Sequence, residues 1–167
     1  MLTIRIPGTI VLGAAALSLA ACGGSSSPTG SAATVPSSAA LIHTASMKIA
    51  GTTETVLKNS NGRTLYYFTP DTATTIACTG GCASNWPPLL SPSGTPTSAP
   101  GLPGKLSVLS GPNGNQVLYN GHPLYTYSKD GDSGDAYGQG VGGKWFVATP
   151  NLATAAAASN DAYSANY

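Results

Sequence analysis

Three cysteines, two tryptophans, eight tyrosines and six carboxylates are the residues of this chain that could do chemistry. Their spacing decides which chemistry. Cys78 and Cys82 enclose "TGG". Three intervening residues, two of them glycine, let the chain curl until the Cα atoms reach the ~4.4–6.8 Å that a disulfide needs. Outside the cytoplasm such a pair forms a disulfide. A strained, reducible bridge is the redox alternative, and a metal thiolate site would need further ligands. The tyrosines and tryptophans could core a β-fold or relay electrons. Asp71 follows Pro70 and Asp130 precedes Gly131, places where Asp accepts backbone N–H groups and fixes a turn. General acid–base work would need a partner, and Glu54, Asp132, Asp135, Asp161, His43 and His122 are the remaining candidates. No nucleophile elbow, phosphate loop or zinc spacing is present in the sequence, which weighs against an enzyme.

Metals have weaker footing. "DGDSGD" crowds Asp130, Asp132 and Asp135 into a loop that could offer oxygen ligands to Ca²⁺, though without EF-hand spacing or a closing Glu. A solvated loop is the simpler expectation. Copper could draw on His43, Met47 and His122, but no spacing gathers them, and haem has no better basis. No cofactor is therefore expected. "YGQGVGG" lacks the Lys-Ser/Thr ending and following helix of a phosphate loop, and reads as tight turns ahead of Trp145.

One phrase is written twice. Gly62, Leu65, Tyr66, Phe68, Asp71 and Trp86 map onto Gly121, Leu124, Tyr125, Tyr127, Asp130 and Trp145 with a constant offset of 59. Such self-similarity is the mark of a repeat. Around it the pattern is β: "SMKIA", "TETVLKN", "RTLYYFT", "KLSVLS", "NQVLYN", "HPLYTYS" and "KWFVATP" are short β-prone runs separated by Gly- and Asn-bearing turns. Asn120-Gly121 is a type I′ pair. Alternate strand residues share a face, so Tyr66 with Phe68 and Tyr125 with Tyr127, joined by Trp86 and Trp145, form the expected core. The predicted fold is all-β: two pseudo-repeats of about four short strands, residues 45–92 and 104–150, packed as a small sandwich or barrel. One repeat alone could not cover both faces of its sheet.

These motifs resemble a bacterial family. The Y-x-[FWY]-x-x-D phrase stands at Tyr66 to Asp71 and again at Tyr125 to Asp130, and "C-x-x-x-C-x-x-x-W-P-P-L" runs from Cys78 to Leu89. Both are similar to the secreted repeat of unknown function in the lipoprotein 15 family. The resemblance implies a surface-anchored repeat module, permits a redox role, and implies no established activity.

The N-terminus supplies the anchor. Arg5 precedes an apolar run from Ile10 to Ala21, too short to span a bilayer, ending in Leu19-Ala20-Ala21-Cys22. This resembles a lipobox, with residues 1–21 removed and Cys22 acylated, which would hold the protein on a membrane. Removal takes Arg5 and leaves equal numbers of Lys/Arg and Asp/Glu, from seven and six in the whole chain. No basic patch is present in the sequence, so nucleic acid is excluded as a partner. Residues 22–44 read as a Gly/Ser/Pro tether and 151–167 as a weakly ordered tail. The expectation is a lipid-anchored extracytoplasmic module, non-enzymatic, with a protein or small-molecule partner left open. The competing class is a redox lipoprotein that moves electrons through its Tyr/Trp cluster or a bound cofactor.

Overall fold

The computed structural model describes residues 40–92 and 94–156. The segment read as a signal peptide, Cys22, most of the segment read as a tether, Asp161 and the end of the chain lie outside the described residues.

The β-prone runs form strands where they were expected. They are β1 (Ile42–Ile49), β2 (Thr52–Asn59), β3 (Tyr66–Phe68), β4 (Leu106–Gly111), β5 (Gly114–Tyr119), β6 (His122–Tyr125) and β7 (Trp145–Val147). A five-residue helix, α1 (Gly81–Asn85), and a 3₁₀ turn at Val141–Gly143 interrupt them. Two-residue turns close the hairpins whose central residues both have positive φ: Ala50-Gly51 at 47° and 91°, Asn120-Gly121 at 49° and 81°. Such turns match the twist of the flanking strands. β1 starts at Ile42, ahead of the boundary expected at Ala45, and Ile42 is fully buried. At the other end Leu152 packs on the core, and Asn120 Nδ2 donates to its carbonyl at 2.7 Å. The ordered domain thus extends beyond Pro150.

The strands make two antiparallel sheets, β1-β2 and β4-β5-β6-β3-β7. The two copies of the phrase meet in the middle of the larger sheet, where Tyr66 stands directly opposite Tyr125. The final segment of each repeat then pairs with the other repeat. β7, from the second, lies on β3 of the first with Val147 opposite Tyr66. The matching segment of the first repeat lies on the second, with Pro88 opposite Tyr125 and Leu90 opposite Gln116. The same hydrogen bonds recur: Ala148 N–H donates to Leu65 O at 2.8 Å and Leu89 N–H to Leu124 O at 2.9 Å. Pro87 and Pro88 have no N–H, so this segment makes isolated bridges where Trp145–Val147 makes a strand. The repeats are interlocked through these exchanged segments.

Two apolar clusters result. One gathers Ile42, Leu57, Leu65, Leu89, Val117, Tyr119, Leu124 and Ala148. The other holds Tyr66, Trp86, Tyr125 and Trp145 with Ile49, Val56, Cys78 and Val147, and Phe68 and Tyr127 pack against it half-buried. Each is built from both repeats.

Candidate functional site

The aromatic cluster is where the phrase's residues converge. After each motif strand the chain turns tightly, with Asp71 N–H donating to Phe68 O and Asp130 N–H to Tyr127 O. That turn tucks each carboxylate under the sheet, where both are buried. There each meets the other repeat. The Tyr66 hydroxyl donates to Asp130 Oδ2 at 2.7 Å, and the Tyr125 hydroxyl donates to Asp71 Oδ2 at 2.6 Å. The second carboxylate oxygen holds its own loop: Asp71 Oδ1 accepts from Ala77 N–H at 2.7 Å, and Asp130 Oδ1 from Tyr137 N–H at 3.0 Å. The turn-fixing role read from sequence accounts for one oxygen of each Asp. The other makes a reciprocal clasp between the repeats.

Burial sets the proton affinities here. It pushes the carboxyls of Asp71 and Asp130 upward, against the pull of the donated tyrosine and backbone hydrogen bonds. Burial, and then the neighbouring carboxylate acceptor, push the hydroxyls of Tyr66 and Tyr125 far above their ordinary value of 10.0. A phenol that donates to a carboxylate in a low-dielectric site resists becoming an anion.

The rings form one stack. Trp86 and Trp145 lie face to face at 3.7 Å between centroids with planes 1° apart. Tyr127 covers the far side of Trp86 at 4.1 Å, and Phe68 the far side of Trp145 at 4.3 Å. Tyr66 and Tyr125 meet Trp86 and Trp145 edge-on, at 5.5 and 5.1 Å. Gly138 explains part of the fit. A Cβ there would lie 2.7 Å from Tyr66 Cε1 and 2.9 Å from Trp86 Cη2, so only glycine lets the backbone pass.

The loops that bring in the tryptophans carry the other predicted residues. Cys78 and Cys82 are disulfide-bonded, with Cα atoms 5.2 Å apart. α1 starts inside that ring and hands over directly to Trp86, whose N–H donates to Cys82 O at 2.9 Å. In the second loop, Asp135 Oδ2 accepts from the N–H groups of Gly131 and Asp132, and Asp132 Oδ1 accepts from Gly134 N–H. Asp130 faces inward to Tyr66, so the three acids do not converge. Among the described residues no group of three His, Cys, Asp or Glu side chains is placed to hold a metal ion. His122 Nε2 sits 3.0 Å from Ala153 O with its ring against Tyr67, while His43 stands opposite Lys58 in the β1-β2 ladder. Met47, also on β1, presents its sulfur to Thr64.

Sequence reading missed Lys58, Thr64 and Gln116, all buried. Lys58 Nζ donates to Thr64 Oγ1 at 2.8 Å and to Ser133 O at 2.7 Å, pinning the acidic loop of the second repeat to β2 of the first. Burial lowers its proton affinity, and the nearby Asp130, Asp132 and Asp135 partly restore it. Comparing the repeats would have exposed it. Lys58 bridges Thr64 where the second repeat pairs Leu118 with Pro123. Gln116 Nε2 donates to Leu124 O at 3.0 Å, a second donor to the carbonyl that also accepts from Leu89 N–H.

A shallow polar cleft opens at the Tyr127 end of the stack, lined by Asn61, Arg63, Pro87, Thr126, Tyr127 and Ser128. It lies where a turn of the first repeat meets the motif of the second.

The geometry defines a class: a two-repeat, all-β module whose motif residues lock one repeat to the other. The model of the family described as a secreted repeat of unknown function matches residues 50–90 and 107–149, together just over half of the chain. The chain belongs to that family, and the two matched segments are the two repeats seen in the structure. The family's description makes it an extracytoplasmic repeat module. No curated protein and no solved structure matches the chain. No helix among the described residues is long and apolar enough to cross a membrane.

Proposed function

We propose that this protein is a lipid-anchored surface module, tethered through Cys22, that works by presenting a rigid binding surface and not by catalysis. The reciprocal clasp carries this reading. The groups best suited to acid–base chemistry, Asp71, Asp130, Tyr66 and Tyr125, are buried and hydrogen-bonded to one another. Their polar atoms join the repeats, so the motif specifies the fold and ligand binding falls to the surface. The cleft beside Tyr127 is the surface we assign to a ligand, because it lies where the two repeats meet. Its amide, guanidinium and hydroxyl side chains beside an aromatic ring fit a polar, hydroxyl-rich molecule such as a glycan.

Two measurements test the proposal. Intact mass of protein from the membrane fraction should show a chain beginning at an acylated Cys22, and Cys22→Ala should release a folded domain into the soluble fraction. Glycan-array binding by the purified protein should fall with Arg63→Ala or Asn61→Ala at unchanged melting temperature. Membrane retention of Cys22→Ala would remove the anchor, and binding indifferent to the cleft variants would remove the surface.

A further inference from the structure

A clasp and a core explain why the rings are buried, but not why the two ends of the stack differ. Phe68 closes one end and Tyr127 the other. A benzene ring is very hard to oxidise, whereas phenol and indole each give up one electron far more readily. The end that can be oxidised is the one that lines the cleft. Inward from it come two parallel indoles with centroids 3.7 Å apart, near enough to share an electron vacancy. Edge-on to them stand two phenols, each with a carboxylate oxygen 2.6–2.7 Å from its hydroxyl. Oxidation makes a phenol strongly acidic, so a tyrosine can hold the vacancy only if its proton has somewhere to go. Both buried tyrosines have that acceptor in place.

We propose that the stack is a one-electron relay, which takes oxidising equivalents from radical oxidants at the cleft and stores them on Tyr66 and Tyr125. A one-electron oxidant of the kind formed from peroxides at a cell surface takes an electron through Tyr127 and Trp86, and becomes its anion. Trp86 recovers the electron from Tyr66, and the Tyr66 proton crosses its hydrogen bond to Asp130 Oδ2. The products are the reduced oxidant, a neutral phenoxyl and a protonated carboxyl, so atoms and charge balance. Through Trp145 the same step reaches Tyr125 and Asp71. A one-electron donor of the hydroquinone class returns the electron, and the proton moves back to the tyrosine. The relay does not depend on what the cleft binds or on the lipid anchor.

Buried carboxylates suit the acceptor role. Burial pushes the carboxyls of Asp71 and Asp130 upward, which makes the carboxylates better bases than their exposed counterparts. Tyr137, two-thirds exposed, is the competing site for a surface radical and must be separated from the relay by experiment.

The test is flash-quench oxidation of the full-length protein by a soluble ruthenium polypyridyl complex, followed by transient absorption. An indole radical should form and convert to a phenoxyl radical at a rate independent of protein concentration and slower in D₂O. Tyr127→Phe should reduce the yield several-fold, and Tyr137→Phe should leave it unchanged. Asp71→Asn/Asp130→Asn should prolong the indole radical several-fold, with near-ultraviolet circular dichroism as the check of folding. If that variant does not fold, Tyr66→Phe/Tyr125→Phe keeps the rings and should abolish the conversion. Phenoxyl formation that survives this last variant, or that disappears with Tyr137→Phe, overturns the relay.

Discussion

The segments from Asp71 to Trp86 and from Asp130 to Trp145 have equal length and deliver equivalent rings to one stack, yet they share little chemistry. The first is held by a disulfide and a short helix. The second has no cysteine. It turns on Gly140, Gly142 and Gly143, all at positive φ, and is tied by Lys58 to the other repeat. What the two have in common lies at their ends: the Asp that accepts from a tyrosine, and the Trp that enters the stack. The end points are fixed by interactions between repeats. The path between them is open to whatever local device closes a loop.

The largest test of this comparison is to remove one side. A fragment ending at Pro92 keeps the first motif but loses β6, β7, Asp130 and Trp145. It should show no cooperative melt by circular dichroism, and a cooperative one would make the repeats separate domains. Next come the shared rings. Trp86→Ala and Trp145→Ala should each cost about 3–5 kcal/mol in denaturant unfolding, as truncation of buried aromatics does. Similar costs are expected from both, because each ring faces the other. A much smaller cost for Trp86 would mean that the disulfide loop holds the first repeat without the stack.

The clasps come third. Asp71→Asn and Asp130→Asn should each cost about 1–3 kcal/mol at neutral pH through the weakened buried hydrogen bonds. They also carry a pH signature. Tyr66 and Tyr125 have raised proton affinities in the folded state, so their contribution is present below the unfolded value of 10.0 and is lost as pH rises above it. The melting temperature should therefore drop steeply in alkali, and Tyr66→Phe/Tyr125→Phe should flatten that drop. An equally steep fall in the Phe variant would place the alkaline lability elsewhere. The carboxyl groups of Asp71 and Asp130 are also raised, so their contribution is greatest below the ordinary carboxylate value of 3.8 and fades as pH climbs through their folded values.

Smaller effects belong to the loops. Cys78→Ala/Cys82→Ala should fold and lose about 2 kcal/mol, the gain from closing so short a ring. That corresponds to a melting temperature lower by several degrees. Failure to fold would make the disulfide more than a local device. Millimolar Ca²⁺ or EDTA should leave the melt unchanged, since the loop acids are turned to their own N–H groups. A Ca²⁺-dependent rise would restore the loop as a site.

The strands, the Asn120-Gly121 turn and the disulfide pair could be read from sequence because each depends on residues close together in the chain, and the repeat because its residue types recur at one fixed offset. The aromatic core could be read because the period of a strand puts Tyr66 and Phe68 on one face. The exchange of final segments could not. Trp86-Pro-Pro-Leu89 does not look like a strand, since two of its residues lack the N–H that a ladder uses. Its partner, β6, is chosen by tertiary packing. α1 is too short for any periodicity to show. The partners of Asp71 and Asp130 were hidden for a related reason, because 54 and 64 residues separate each from its tyrosine. Lys58 was overlooked because a lysine at a strand end reads as solvent-facing, and its burial depends on Ser133 arriving from the other repeat.

The exchanged segments also bear on how the chain leaves the cell that makes it. On an export route that passes only unfolded chains, a protein crosses its membrane amino end first. Were the first repeat able to close by itself, it could collapse while the second was still inside and jam the crossing. Here the first motif strand lacks both of its neighbours in the sheet until β6 and β7 have emerged, and the contacts that would reward folding span dozens of residues. Such long-range contacts form late, because the loop entropy must be met first. On such a route interlocking should hold back closure of the larger sheet until both repeats are outside. The same arrangement of strands would then serve both passage through the membrane and stability beyond it.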